Sequence, residues 1–285
     1  MLKRIFSVVL ALVMVMGAFA MNASAADEVI YGDVTGEGKV NSQDALTVLQ
    51  VATGLSEITN YKTGIADTNA DGKINSSDAL KILQLATGNI TSFNKSYDNT
   101  LKAKYVDPVF AHGAFTFNVT MTDESVGEFD MVFSTDGKAK VIATIIMFME
   151  IVPVEVRMLH RDGKNYQVVP SVSWGLEKAQ GSYCEIEDDI GLLFDNYVML
   201  FTTEMIYGST TKKTVDGVKY DCETFYNENN ACFEFYFNGN ELELLVVSNG
   251  DTVQTFDVSH LEKGADASRL VIPSDCVYDE SLVTG

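Results

Sequence analysis

The sequence predicts two different folds in series: a small all-α domain built from two loop-helix units, then a mainly antiparallel β domain with one helix. Two observations predict this. An internal repeat at an offset of 34 residues aligns Asp33–Gly54 with Asp67–Gly88, identical at 13 of 22 positions. From about Phe115 onward the chain becomes a succession of short alternating segments separated by Asp-Gly and Asn-Gly pairs, which are hairpin signals. The 285 residues suffice for two cores, and 46% apolar content is too high for a disordered chain. With 40 Asp+Glu against 20 Lys+Arg, the formal charge of -20 repels phosphate backbones and excludes general nucleic-acid binding.

At the N-terminus, Lys3-Arg4, the apolar run Ile5 to Ala20 and Ala23-Ser24-Ala25 have the layout of a secretory signal peptide, residues 1–25, cleaved after Ala25. The apolar run is shorter than the roughly 20 residues a membrane span needs, and no later run is long and apolar enough. The expectation is therefore a secreted chain, extracellular or held in a complex at the cell surface, with no membrane span.

The first copy of the repeat begins Asp33-Val-Thr-Gly-Glu-Gly-Lys-Val-Asn-Ser-Gln-Asp44 and the second Asp67-Thr-Asn-Ala-Asp-Gly-Lys-Ile-Asn-Ser-Ser-Asp78. Oxygen side chains at positions 1, 3, 5 and 12 around a Gly at position 6 are what a calcium loop requires. The second loop offers Asp67, Asn69, Asp71, the Lys73 carbonyl, Asn75 through water, and Asp78, with Gly72 at the turn. The first offers Asp33, Thr35, Glu37, the Lys39 carbonyl, Asn41 and Asp44, with Gly38 at the turn. Two Ca2+ sites follow. The first is the weaker, because Thr35 supplies a neutral oxygen and Glu37 is longer than Asp. Each loop runs into a helix, Ser42–Thr53 or Ser76–Thr87, whose apolar face is read as Ala45, Leu49 and Ala52, or Ala79, Leu83 and Ala86. Gly54 and Gly88 stand where a helix ends in a left-handed residue. Val40 and Ile74, at position 8, are expected to pack the loops together.

Residues Tyr31 to about Asn89 resemble the type I dockerin family, whose hallmark is two tandem calcium loops closed by Asp at position 12, each followed by a single helix. The resemblance implies docking to a cohesin module of a scaffolding protein, as in cellulosome complexes that break down plant polysaccharide. The family's specificity pair falls on Ser42-Gln43 and Ser76-Ser77, and Gln50 and Gln84 stand at equivalent places on the exposed helix face. Ser42 and Ser76 equally suit helix N-terminal capping. The near-symmetry of the copies implies two docking poses related by a half turn.

The expected domains are 26–90 for the dockerin, 91–96 for a short linker, and 97–285 for a β cargo domain with 13 Lys+Arg against 31 Asp+Glu after residue 95. Strands are expected at Phe115–Met121, Glu128–Ser134, Ala139–Phe148, Val154–His160 and Asn165–Val169. A helix follows over Asp189–Met205, with Ile190, Leu193, Phe194, Tyr197, Leu200 and Phe201 at helical spacing. Strands resume at Thr210–Val215, Val218–Tyr226, Ala231–Phe237, Glu241–Ser248 and Thr252–Val258. This layout, closing on Val271-Ile-Pro-Ser-Asp275, resembles the curved half-barrel of bacterial lipoprotein carriers, in which a bent sheet and a helix enclose an apolar groove. Ile145 to Val152 would then line a groove or belong to the core.

No catalytic residue is nominated. His112, His160 and His260 have no metal-ligand spacing, and neither a Gly-x-Ser-x-Gly elbow nor a His-Glu-x-x-His helix occurs. The cargo is read as non-catalytic. A polysaccharide-active glycoside hydrolase using some pair of the many carboxylates is the rival, and a lipid- or sugar-binding module the third reading. Cys184, Cys222, Cys232 and Cys276 are expected to remain unbridged; pairing Tyr226 with Ala231 would set Cys222 opposite Phe235 and away from Cys232.

Overall fold

The computed structural model describes residues 29–123, 127–148, 152–174 and 177–282. The signal peptide and its cleavage site lie outside these residues, as do 149–151 of the run read as a groove lining. Two compact units emerge. Among the described residues, one comprises Asp107–Thr202 with 256–282, and the other 29–106 with Thr203–Thr255.

In the second unit the repeat forms helices α1 (Ser42–Ala52) and α3 (Ser76–Ala86), separated by α2 (Asn60–Ala66). Both repeat helices start identically. Asn41 and Asn75 are the N-caps, accepting from Gln43 N and Ser77 N at 2.6 and 2.7 Å, while Asp44 and Asp78 accept from the cap backbone amides. The cap is thus Asn at position 9 of each loop, and Ser42 and Ser76 are the first helical residues. Both helices also end identically: Leu55 N bonds Gln50 O at 2.8 Å and Gly54 N bonds Val51 O, matched by Asn89 N to Gln84 O and Gly88 N to Leu85 O, with both glycines at positive φ.

The buried helix face keeps Ala45 and Ala79 of the expected one and differs in the rest. Asp44, Ala45 and Val48 are inside, as are Asp78, Ala79 and Ile82, whereas Leu49 and Leu83 are exposed and Ala52 and Ala86 face solvent. The reason is the loop: its closing Asp must point inward, which rotates the helix so that the residues one and four places later follow it. Val48 and Ile82 are fully buried, each worth about 1.5–3 kcal/mol. They pack with Val34, Ile65, Ala66 and Ile206, and Val40 and Ile74 close over this core as expected.

Helix α2 was not anticipated. It is capped by Thr59, which accepts from Lys62 N, and leads directly into Asp67. Within the segment read as linker, Phe93 packs on the same core and Lys95 is buried. A 3-10 turn (Tyr97–Asn99) and a π-helical turn (Lys102–Val106) follow, and the buried Glu223 carboxylate accepts from the amides of Leu101 and Lys102 at 2.6 and 2.9 Å. Strands β9 (Ile206–Val215), β10 (Val218–Tyr226), β11 (Cys232–Asn238) and β12 (Glu241–Asn249) complete this unit as an antiparallel series. Cys222 stands opposite Tyr236, one residue from the expected partner, because Asn227 N bonds Ala231 O and Tyr226 pairs with Cys232. None of the four cysteines is in a disulfide; burial pushes Cys222 up to about 12 and Cys232 to about 11.

The first unit holds a short helix α4 (Asp107–Phe110), then β1 (Phe115–Asp123), β2 (Gly127–Thr135), β3 (Lys140–Phe148), β4 (Val152–Arg161), β5 (Lys164–Val169) and the small pair β6 (Val172–Trp174) and β7 (Glu177–Ala179). After these come β8 (Ser182–Ile186), helix α5 (Ile190–Thr202), β13 (Thr252–Lys263) and β14 (Val277–Tyr278). Its main strands lie in the order β14-β8-β5-β4-β3-β2-β1-β13, antiparallel except for β14 on β8. The region after Phe115 is thus an open, mostly antiparallel sheet structure with one long helix, as expected. At the Asp162-Gly163 and Asp216-Gly217 turns both residues take positive φ, the geometry that tight hairpins demand. Helix α5 lays Phe194, Tyr197 and Phe201 against Phe115, Phe117 and Phe133, with ring centroids 4.5–6.1 Å apart.

Candidate metal and docking site

Both loops fold around the Asp residues that open and close them. In the first, Asp33 accepts from Gly36 N and Glu37 N on Oδ1 at 2.9 and 3.1 Å and from Gly38 N on Oδ2 at 2.7 Å. Asp44 accepts from Thr35 N and Thr35 Oγ1 on Oδ1 at 2.9 and 2.8 Å and from Asn41 N on Oδ2 at 2.9 Å. In the second, Asp67 accepts from Asp71 N and Gly72 N at 3.2 and 2.8 Å, and Asp78 from Thr68 N and Asn75 N at 3.1 and 3.0 Å. All four Asp residues are buried.

Two buried carboxylates per loop, held by backbone amides and a hydroxyl, retain a negative charge that a hard divalent cation suits. Burial raises the Asp67 carboxyl above its ordinary range, against the nearby Lys95 ammonium, which lowers it. Thr35 and Asn69 add neutral oxygens beside them. Glu37 turns to Asn41 Nδ2 and to Lys39 Nζ, the latter at 3.6 Å, and Asp71 accepts from Asn69 Nδ2 at 3.0 Å. The Asn41 and Asn75 side-chain oxygens serve as helix caps. Among the described residues no three His, Cys, Asp or Glu side chains converge; in each loop the buried carboxylates are the first and last Asp, and a third carboxylate, Glu37 or Asp71, stands exposed at position 5. Such an oxygen-rich set fits a hard cation such as calcium, which Asp33, Glu37 and Asp44, or Asp67, Asp71 and Asp78, would hold as anionic ligands.

The residues read as partner contacts lie on the outer face of α1 and α3. Ser42, Gln43, Gln50, Ser76 and Ser77 are exposed and Gln84 is half-buried. Sequence reasoning missed their apolar companions. Leu46 and Leu80, with Leu49 and Leu83, are 41–55% exposed at equivalent positions. Leu49 and Leu83, which helical spacing places on the core face, stand outside it; the recurrence of these leucines at equivalent positions in both copies is the available signal. The histidines stay local: His160 Nδ1 lies 2.7 Å from Asn165 Oδ1, and His112 Nδ1 2.8 Å from Ala114 O.

Residues 31–84 match the family of the dockerin type I domain. This segment is a type I dockerin domain. A dockerin domain implies docking to cohesin in cellulosome-type complexes, dockerins generally bind calcium, and dockerin proteins are typically extracellular. No curated protein matches the chain. Among solved structures, one described as PNGF-II in a C2 space group is similar at 9% identity with a TM-score of 0.23, over 60% of this chain and 32% of that one. The chain thus spans about a third of that protein's length, and the likeness carries nothing about fold or chemistry. No helix among the described residues is long and apolar enough to cross a membrane.

Proposed function

We propose that the chain is a secreted component of an extracellular polysaccharide-degrading complex, docking through two calcium-stabilised loops to a cohesin on a scaffolding protein and carrying a non-catalytic cargo. The observation that carries this is the pair of matched loop-helix units, whose helices present Ser42, Gln43, Leu46 and Leu49, and again Ser76, Ser77, Leu80 and Leu83, on the solvent side. Domain limits of 26–90 for the dockerin and 97–285 for the cargo belong to the same reading, as do two Ca2+ sites and two docking poses. The test is capture of the purified chain on a panel of cohesins in calcium and in chelator, comparing wild type with Asp67→Ala/Asp78→Ala. Calcium-dependent capture lost in the variant supports the docking role, and calcium binding without any capture counts against it. Turnover of a plant-polysaccharide panel by the wild type would overturn the non-catalytic cargo.

A further inference from the structure

The second loop stands apart from the first in what lies against it. Its Ala70 carbonyl accepts from Thr210 N of β9 at 3.3 Å, and a Cβ placed on Gly72 would lie 3.1 Å from Thr211 Cγ2 and 3.3 Å from Ser209 Oγ. The helix that feeds the loop is seated on the same strands. A Cβ on Gly64 would come within 2.8 Å of Ile206 Cδ1 and 2.9 Å of Tyr226 Cδ2, and Asn60 bonds Asn230 through its backbone N at 2.6 Å and its Nδ2 at 3.2 Å. Between them sits the buried Lys95. Its Nζ donates to Gly64 O at 2.6 Å and Asp67 O at 2.7 Å, beneath the rings of Tyr31 and Tyr207, and Tyr31 OH accepts from Tyr207 N at 3.3 Å. The first loop has no such support. Among the described residues nothing lies within 4 Å of a Cβ placed on Gly36 or Gly38, and Tyr61 stands 34 residues before Lys95.

We infer that the second calcium loop, α2, Lys95 and strands β9–β10 form one calcium-linked unit, so that a cation bound between Asp67 and Asp78 orders the β9–β10 end of the cargo as well as the dockerin. The physical route is short. Asp67 supplies a side-chain ligand to the cation and its carbonyl to Lys95, so a loop that opens takes one acceptor from a buried ammonium and withdraws Ala70 O from Thr210. It also uncovers Ile206, which is part of the dockerin core although it belongs to β9. A buried polar group left without its partner is unfavourable, so loop and strand should open together.

This rests on the calcium reading of the second loop, and the test separates the two. Amide hydrogen exchange of the full chain is followed by mass spectrometry in calcium and in chelator. The expected result is at least tenfold faster exchange on chelation in 206–211, together with 67–78, while 129–135 of the first unit stays within twofold. Deprotection of 67–78 with 206–211 unchanged overturns the coupling. If 67–78 itself does not respond to calcium, the calcium reading fails and the coupling with it. Gly64→Val should leave the calcium response of 67–78 in place and abolish that of 206–211; a retained response in 206–211 of the folded variant also overturns the coupling. The wild-type comparison stands whether or not this variant folds.

Discussion

The loops Asp33–Asp44 and Asp67–Asp78 share six of twelve residues, including the Asp at each end, yet the tip of one stands in solvent and the other rests on a β-strand. Position 6 shows it most plainly: among the described residues nothing would meet a Cβ on Gly38, while one on Gly72 would lie against Ser209 and Thr211. Position 4 is Gly36 in one copy and Ala70 in the other, both at positive φ, so the second copy accepts a strained alanine where the first uses glycine. The helices that follow are indifferent to this contrast, with the same Asn cap and the same glycine stop. The repeat therefore keeps in both copies the cap and the stop that act within each unit, while the surroundings of the two loop tips differ.

The sharpest way to break this comparison is to remove each site in turn. At calcium a hundredfold above Kd, an abolished site forfeits about 2.7 kcal/mol of stability. Asp67→Ala/Asp78→Ala should therefore depress thermal stability in calcium more than Asp33→Ala/Asp44→Ala does, and equal losses by calorimetry would show that the β9 contacts add nothing. Lys95→Met comes next. It strips Gly64 O and Asp67 O of their buried donor and should cost about 2–3 kcal/mol in denaturant unfolding; a neutral result would mean water replaces the ammonium.

Smaller effects sharpen the contrast further. Gly64→Ala forces a methyl group against Ile206 and Tyr226 and should cost about 1–3 kcal/mol by overpacking, whereas Gly54→Ala, at φ +72 with open space around it, costs only the backbone strain of about 1 kcal/mol. Asn41→Ala and Asn75→Ala should each cost about 1 kcal/mol, equally, since the caps are the same; a large inequality would show that support from β9 reaches α3. The smallest effect is Ala70→Gly, which relieves positive φ and should stabilise by at most about 1 kcal/mol, read as a shift in unfolding midpoint.

Much of the site was legible because its signals are local. A twelve-residue ligand spacing needs no distant partner to be recognised, and a duplicated copy supplies its own control. Most β-strands were legible for the same reason, since Asp-Gly and Asn-Gly turns mark their ends. The short strands β6 to β8 between Val169 and Asp189 escaped because no such turn brackets them and their alternation is brief. The helix faces were misread at Leu49 and Leu83 because periodicity locates an apolar stripe without saying which edge of it is inward. That edge is set by the closing Asp, a loop residue. The one-residue offset at Cys222 came from the loop Asn227–Ala231, whose ends pair with each other.

By itself the sequence determined the two loop-helix units, their stops at Gly54 and Gly88, and the antiparallel character of the region after Phe115. Each depends on neighbours a few residues apart in the chain. The tertiary structure alone decided that Ile206 belongs to the dockerin core, that Lys95 is a buried clasp on Asp67 and Gly64, and that α2 rests on β9 and β10. These contacts join residues more than a hundred positions apart, or bury a charge that composition would leave on the surface. Their favourable energy exists only once both partners are packed and water is excluded between them.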